Sequence, residues 1–438
     1  MSNAHNSNAH DAIIIGAGII GAATALALAR AGRKALVVEK LPASGYGSTG
    51  ASCAIIRPYY STVDGSALAY ESHFYWRDWA EFLGVEDERG LIKYHDCGCL
   101  VLKTEANGYL VRACEIMEEI GAPFEHLSPE QLQERLPLVL DSFTPARRLE
   151  DPAFGEPNDG RISGGVFFPT GGYISDPQLA THNLQRAAEA QGAAFRFNAE
   201  VAAVRRANGR VVGITLADGD EIDAPVVVNI AGPHSAKITA MAGVGADMKI
   251  KTRALRHEVA HVPAPEGFDF EHDGCVFSDS DAGTYSRPEL GNFVLVGSED
   301  PACDPREWVD PDDYNKEFTE QWRVQALRHA QRFPGTGIPS QTKGVVDLYD
   351  VTDDWIPIYD ISDLPGFYMA IGTSGNQFKN APIAGEMMAA LIAACEAGRD
   401  HDRDPVSFHL RYVDRDISLG FFSRLREINP DSSFSVLG

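Results

Sequence analysis

D-A-I-I-I-G-A-G-I-I-G-A-A-T-A-L-A-L-A-R-A-G-R-K-A-L-V-V-E-K, residues 11–40, opens with a short β-branched apolar run over 12–15 that reads as a buried parallel strand. The run ends on the turn Gly16-Ala17-Gly18-Ile19-Ile20-Gly21 and passes into 22–31, which is helix-forming almost throughout. A second apolar run over 35–38 then stops on Glu39. Gly16 suits the tight turn, Gly18 lets the backbone approach a pyrophosphate, and Gly21 lets helix pack closely on strand. The helix N-terminus behind them offers free N–H groups to a diphosphate, and Glu39 falls where an acid accepts hydrogen bonds from a ribose. Glycines alone would be weak evidence. Strand, turn, helix, second strand and terminal acid in register point to a dinucleotide-binding unit, without choosing between FAD and NAD.

A chain of 438 residues exceeds one ordinary core, so two domains are expected. Its 62 acidic against 38 basic residues, a formal charge of −24, argue against nucleic acid or an anionic membrane surface as a partner. No apolar run reaches transmembrane length. Residues 1–10 lack the basic-then-apolar pattern of a signal peptide and read as disordered. The seven cysteines form no framework, Cys97-Gly98-Cys99 lacks the second pair a zinc site needs, and no metal is expected. A reducing cytoplasm fits best.

After Glu39 and Lys40 comes a loop rich in Gly, Ser and Thr, in which Ser48, Thr49, Ser52, Cys53 and Ala54 can pass close to a ligand and Arg57 is the one cation. Helical patterns follow over 66–83 and 108–120, two short strands over 91–103 about Asp96-Cys97-Gly98, and a helix starting at Ser128-Pro129 with a capping pattern. Residues 147–163 are Pro-, Gly- and Asp-rich and read as an exposed excursion. A helix over 177–191 precedes strands at 195–205 and 211–216 joined over Asn208-Gly209. The run 226–232, V-V-V-N-I-A-G, is a second buried strand ending at Ala231 and Gly232, so the nucleotide domain is assembled from separated pieces. From 253 the pattern alternates over 253–262, 275–278, 284–287 and 293–297, as an antiparallel sheet requires. A helix is expected over 311–332 and strands over 344–359 and 367–371. Then G-T-S-G-N-Q-F-K-N-A-P, residues 372–382, leads into a helix over 383–397, a second glycine-rich turn whose helix N-terminus can face an anion. Residues 401–438 carry no readable signal.

G-A-G-I-I-G with Glu39, S-T-G-A-S-C-A-I-I-R-P-Y-Y (48–60), V-V-N-I-A-G-P (227–233), T-Y-S-R-P-E-L-G-N-F-V-L-V-G (284–297) and G-T-S-G-N-Q-F-K-N-A-P together resemble the D-amino-acid oxidase and sarcosine oxidase (DAO) superfamily of FAD-dependent amine oxidoreductases, over nearly the whole chain. The resemblance implies FAD rather than NAD. It also implies an α/β fold with an antiparallel β component: a discontinuous Rossmann-like FAD domain (10–90, 155–245, 340–400) beside a substrate domain (91–154, 246–339), with 401–438 as a tail. Cofactor contacts are then expected from Gly16, Gly18, Ile19, Ile20, Gly21, Glu39, Lys40, Ser48, Thr49, Ser52, Cys53, Ala54, Val201, Ala231, Gly232, Gly375, Asn376, Gln377, Phe378 and Lys379. In the sarcosine oxidase branch an arginine and a lysine hold the substrate carboxylate, and Arg57 and Lys379 match them; Tyr285 and Tyr349 match tyrosines of the same branch. A buried cation is costly without a partner, and an incoming carboxylate is a suitable one. Lys379 also reads as a helix-terminal lysine, the two tyrosines as packing residues, and His257 as either a proton acceptor or a structural strand histidine.

Two departures from the family pattern bear on the chemistry. Asp347 stands where monomeric sarcosine oxidase has its flavin-linking cysteine, and the linking histidine of a sister branch is replaced near Ala51, so FAD is expected to be non-covalent, with Cys53 the remaining thiol near the ring. Leu295 stands where the sarcosine oxidase branch has the lysine that promotes reaction with oxygen, so oxygen is expected to be a poor acceptor and a quinone or carrier protein to take the electrons instead. The reading is oxidation of a C–N bond in a small secondary or N-alkylated amino acid, by hydride transfer to flavin N5 and hydrolysis of the imine. A D-amino-acid dehydrogenase of the same fold and a non-catalytic flavin-binding subunit are the alternatives.

Overall fold

The strand Ala12–Ile15 is buried along its whole length because it has parallel partners on both sides, with Ile14 opposite Val37 of Ala35–Val38 and opposite Val228 of Val227–Asn229. These lie at the centre of a six-stranded sheet, ordered Ile358–Ile361, Phe367–Ile371, Val227–Asn229, Ala12–Ile15, Ala35–Val38, Ala194–Arg196, in which only the first edge strand runs antiparallel. The computed structural model describes residues 10–437; the expectation of disorder over 1–10 falls, apart from His10, outside them. The central strands are apolar without alternation because both faces are covered. Helices Ile19–Arg30, Pro177–Ala190 and Ala381–Glu396 cover one face. A meander of Val201–Ala207, Arg210–Leu216 and Glu221–Asp223, with helix Ser235–Ala242, covers the other.

The second layer is a nine-stranded sheet running Glu307–Trp308, Thr252–Pro263, Phe293–Ser298, Thr284–Glu289, Val276–Asp279, Cys99–Leu102, Gly165–Phe168, Glu125–Leu127, with Gly344–Thr352 paired to Thr252–Pro263. It is antiparallel, as the alternation predicts, except where Val276–Asp279 joins Cys99–Leu102 in parallel. Helix Glu320–Arg332 packs on it, with Trp322, Ala326 and Phe333 in the core between them. Two of its strands, Gly165–Phe168 and Gly344–Thr352, come from ranges the sequence assigns to the FAD domain. The crossings between the two sheets therefore fall after 168 and after 352 rather than near 155 and 340.

Other expectations are corrected by local chemistry. Only Glu320–Arg332 of the helix expected over 311–332 forms. In the preceding stretch Asp310 Oδ1 accepts from the Asp312 N–H at 2.9 Å, and Asn315 Oδ1 accepts from the Glu317 N–H at 2.9 Å. Such short polar side chains hold turns in place of a helix, which starts only behind the Thr319 cap. The helix expected over 66–83 breaks at Asp78 into Val63–Arg77 and Trp79–Leu83, with Trp76 and Trp79 stacked at 4.5 Å. The strands flanking Asp96-Cys97-Gly98 pair in different sheets, and the strand expected over 195–205 divides between the parallel sheet and the meander. The Ser128 cap forms as a full capping box with Gln131.

Candidate active site

Between the two sheets lies a continuous cavity of about 740 Å³, within the range of a cofactor pocket. One end is the glycine turn. Gly16 has φ +112°, and a Cβ there would lie 2.3 Å from the Ile230 carbonyl oxygen, so the crossover between adjacent strands admits only glycine. Glu39 is fixed by its neighbours: Oε2 accepts from the Ala17 N–H at 2.8 Å and Oε1 from the Leu41 N–H at 2.9 Å. Thr49 Oγ1 accepts from the Ile19 N–H at 3.1 Å and ties the polar loop to the start of the helix. Of the turn residues, Ala17 and Gly21 do not line the cavity. A Cβ on Gly21 would lie 2.0 Å from the Gly16 carbonyl oxygen, so this glycine serves helix-on-turn packing.

The other end gathers two cations. Arg57 is 6% exposed and Lys379 3%, and among the described residues neither has a carboxylate within ion-pair distance. Lys379 Nζ donates to Tyr60 Oη at 2.8 Å and to the Asn376 carbonyl at 2.5 Å. Burial, with the nearby Arg57 charge, holds the Lys379 ammonium well below its ordinary pKa. Arg57 lies over the Tyr60 ring at 4.3 Å and, among the described residues, donates only to backbone carbonyls, those of Tyr59, Val436 and Leu437. Burial pushes the Tyr60 phenol up to about 12.

The tyrosines close the opposite wall. Tyr349 lies between the His257 ring, 4.1 Å away and nearly parallel, and Gly375, whose added Cβ would lie 2.5 Å from its ring. Tyr285 sits on Gly297 in the same way, and the two hydroxyls are 3.4 Å apart. Both glycines are needed because aromatic rings occupy the space of their side chains. Cys53 Sγ is 3.8 Å from Tyr285 Oη, and burial raises its thiol, so it stays protonated. His257 Nε2 is 3.6 Å from Asp300 Oδ1. Asp347 also faces the cavity, 3.4 Å from Ser48 Oγ.

With this geometry in place, the sequence matches the FAD dependent oxidoreductase (DAO) family over residues 11–391. The chain belongs to that family. It is 25% identical over 429 residues to FAD-dependent oxidoreductase domain-containing protein 1 of Bos taurus, covering 87% of this chain and 81% of that one. It is 26% identical over 395 residues to sarcosine oxidase subunit beta of Rhizobium meliloti (strain 1021), covering 88% and 84%. The fold is shared with the crystal structure of L-proline dehydrogenase from P. horikoshii at a TM-score of 0.74, 22% identity, and coverage of 96% and 98%.

This FAD-dependent oxidoreductase brings nearly every sequence-derived position to one cavity. Gly16, Gly18, Ile19, Ile20, Glu39, Lys40, Ser48, Thr49, Ser52, Cys53, Ala54, Val201, Ala231, Gly232 and Gly375 to Lys379 all line it, as do Arg57, Tyr285, Tyr349 and His257. The donor set fits FAD. The glycine turn with its close backbone approach suits a diphosphate, Glu39 keeps acceptor capacity beyond its two backbone bonds, and the second turn runs into the N-terminus of Ala381–Glu396. Leu295 does not line the cavity. The sequence missed the loop carrying Asp312 and Tyr314, masked by the helix expected there. It also missed Val436 and Leu437, for which no local signal exists. Among the described residues no helix is long and apolar enough to cross a membrane.

Proposed function

We propose that the protein oxidises the C–N bond of a small amino acid, secondary or N-alkylated, and that Arg57 and Lys379 hold its carboxylate. The observation that carries this is the pair of buried cations with no carboxylate of their own among the described residues, in a cavity whose other end fits FAD. Leaving a cation buried and unpaired is costly, and a substrate carboxylate offsets that cost while fixing the substrate's orientation. The chemistry supplied by bound FAD is acceptance of a hydride from the carbon next to the substrate nitrogen, leaving an imine that water hydrolyses. Tyr285 and Tyr349 form a wall against which the substrate is pressed. His257, stacked on Tyr349 and beside Asp300, takes the ammonium proton at a ring nitrogen so that the amine is neutral when oxidised.

Support also comes from the sarcosine oxidase subunit, whose substrate class a carboxylate clamp would serve. The test is anaerobic mixing of the flavin-loaded protein with N-methyl, cyclic and D-amino acids and with hydroxy acids, following loss of flavin absorbance. Bleaching by N-methyl or cyclic amino acids is expected, and the rate of recovery in air sorts oxygen from a quinone or carrier protein as acceptor. Bleaching by D-amino acids alone would shift the reading to primary amines, and no bleaching by any amine would overturn it.

A further inference from the structure

A guanidinium grips a carboxylate through two N–H groups on adjacent nitrogens. Arg57 has no such edge free. Nη1 donates to the Tyr59 carbonyl, and Nη2 donates to the carbonyls of Val436, at 3.0 Å, and Leu437. Both the end-on edge and the side-on edge through Nε need an N–H of Nη2, so residues 436 and 437 hold the nitrogen that either mode of carboxylate binding requires.

The segment is seated rather than loosely draped. Val436 is 8% exposed and packs with Leu255, Val351 and Trp355 beside Tyr285 and Tyr349, and both Val436 and Leu437 line the cavity. Ser432 Oγ donates to the Asp354 carbonyl at 2.6 Å, and Arg306 Nη2 to the Phe434 carbonyl at 2.8 Å. Upstream, Arg426 is paired with both oxygens of Asp354 at 2.7 and 2.9 Å. The strong ionic anchor thus lies well before the carbonyls that cap Arg57.

We propose that residues 434–437 are an internal competitor for the carboxylate subsite and act as a specificity element. A ligand binds by exchanging two neutral carbonyls on Arg57 for a carboxylate, and that exchange is what displaces the segment. It rests on the reading of Arg57 as the carboxylate anchor. The exchange is favourable for an anion because charge-assisted hydrogen bonds replace neutral ones. A simple amine has nothing to offer Arg57 and leaves the segment in place. Apparent affinity for any carboxylate is lowered by the fraction of molecules with the segment seated.

The test uses the holoenzyme and benzoate, a carboxylate with no C–N bond to oxidise, titrated by its perturbation of flavin absorbance. Amide hydrogen exchange over 434–437 should speed up as benzoate saturates the unmodified protein. Val436→Ser, which removes the apolar seat and keeps the backbone, should tighten benzoate roughly five- to tenfold. Arg306→Met, which removes the Phe434 anchor, should act in the same direction, and flavin content is the control for folding. Unchanged exchange together with unchanged or weaker benzoate binding in both variants would overturn the inference alone, provided Arg57→Met abolishes benzoate binding. Benzoate binding that ignores Arg57→Met would overturn the anchor reading and the inference with it.

Discussion

Arg57 and Lys379 are both buried cations, and they should fail differently. Arg57 offers a planar fork, so Arg57→Met should raise KM for the oxidised amino acid roughly 10- to 100-fold, the scale of hydrogen bonds to a charged group, whereas Arg57→Lys keeps the charge, loses the fork and should fall between. Steady-state KM across the three proteins checks this, and equal values would remove Arg57 from the substrate. Lys379 is distinguished by its titration. Its pKa in the free protein lies well below the ordinary 10.5 because burial and Arg57 both disfavour the ammonium, and a bound carboxylate raises it again. Carboxylate affinity is therefore full below the free-protein pKa and falls as pH rises through it towards the bound value. The titratable groups facing Lys379 do not interfere, since Tyr60 titrates only at about 12 and burial raises the Cys99 thiol well above its ordinary range. A benzoate titration over the full range of pH in which the protein stays folded should show this decline in the unmodified protein and none in Lys379→Met.

At the scale of elements, the glycine-turn helix Ile19–Arg30 depends on close approach by Ala381–Glu396. Gly385 meets it where an added Cβ would lie 2.5 Å from the Ala23 carbonyl carbon, a contact of backbone with backbone that no rotamer can relieve. Gly385→Ala should cost about 1–3 kcal/mol of stability as an overpacked interface, although alanine is the better helix former. Thermal unfolding of the holoprotein checks it, and an unchanged or raised Tm would show that the two helices can separate. The same contrast explains what was legible in the sequence. Residues 11–40 and 226–232 could be read because each strand, turn and helix carries its own pattern, and the glycines mark backbone contacts that are local or between neighbouring strands. Residues 311–319 were misread because helical spacing of apolar residues is blind to Asp and Asn side chains that hold turns by hydrogen bonds. Arg57 could be picked out as a cation among small and apolar residues. Its partners Val436 and Leu437 could not, because the contact spans 379 positions for the first of them and uses only carbonyl oxygens, which every residue has.

For the whole molecule, the question is what closes the cavity between the two sheets. Asp312 lies on the loop that follows Glu307–Trp308 of the nine-stranded sheet, and it meets three groups from the parallel-sheet side: Lys40 at 3.3 Å, His234 at 2.8 Å and Lys237 at 2.6 Å. Lys40 directly follows Glu39, and Lys40, His234, Lys237 and Asp312 all line the cavity, so this cluster spans the mouth of the cofactor site. Lys237 also pairs with Asp310 at 2.5 Å, so the two lysines and His234 meet two acids here. Hydrogen bonds from Lys237 and then His234 hold the Asp312 carboxyl well below its ordinary pKa of 3.8, so the clasp is intact above that value and is lost only as pH falls through the lowered one. The groups are exposed, and exposed pairs contribute little each. Asp312→Asn should therefore weaken FAD only about two- to fivefold at low ionic strength, and the difference should vanish near 1 M salt, where screening acts within about 3 Å. Fluorescence titration of the apoprotein with FAD at several salt concentrations reads both. Equal affinities at low salt would mean that the sheets close over FAD by apolar packing alone. A deficit that persists at high salt would assign Asp312 a direct contact with the cofactor instead of a clasp across its mouth.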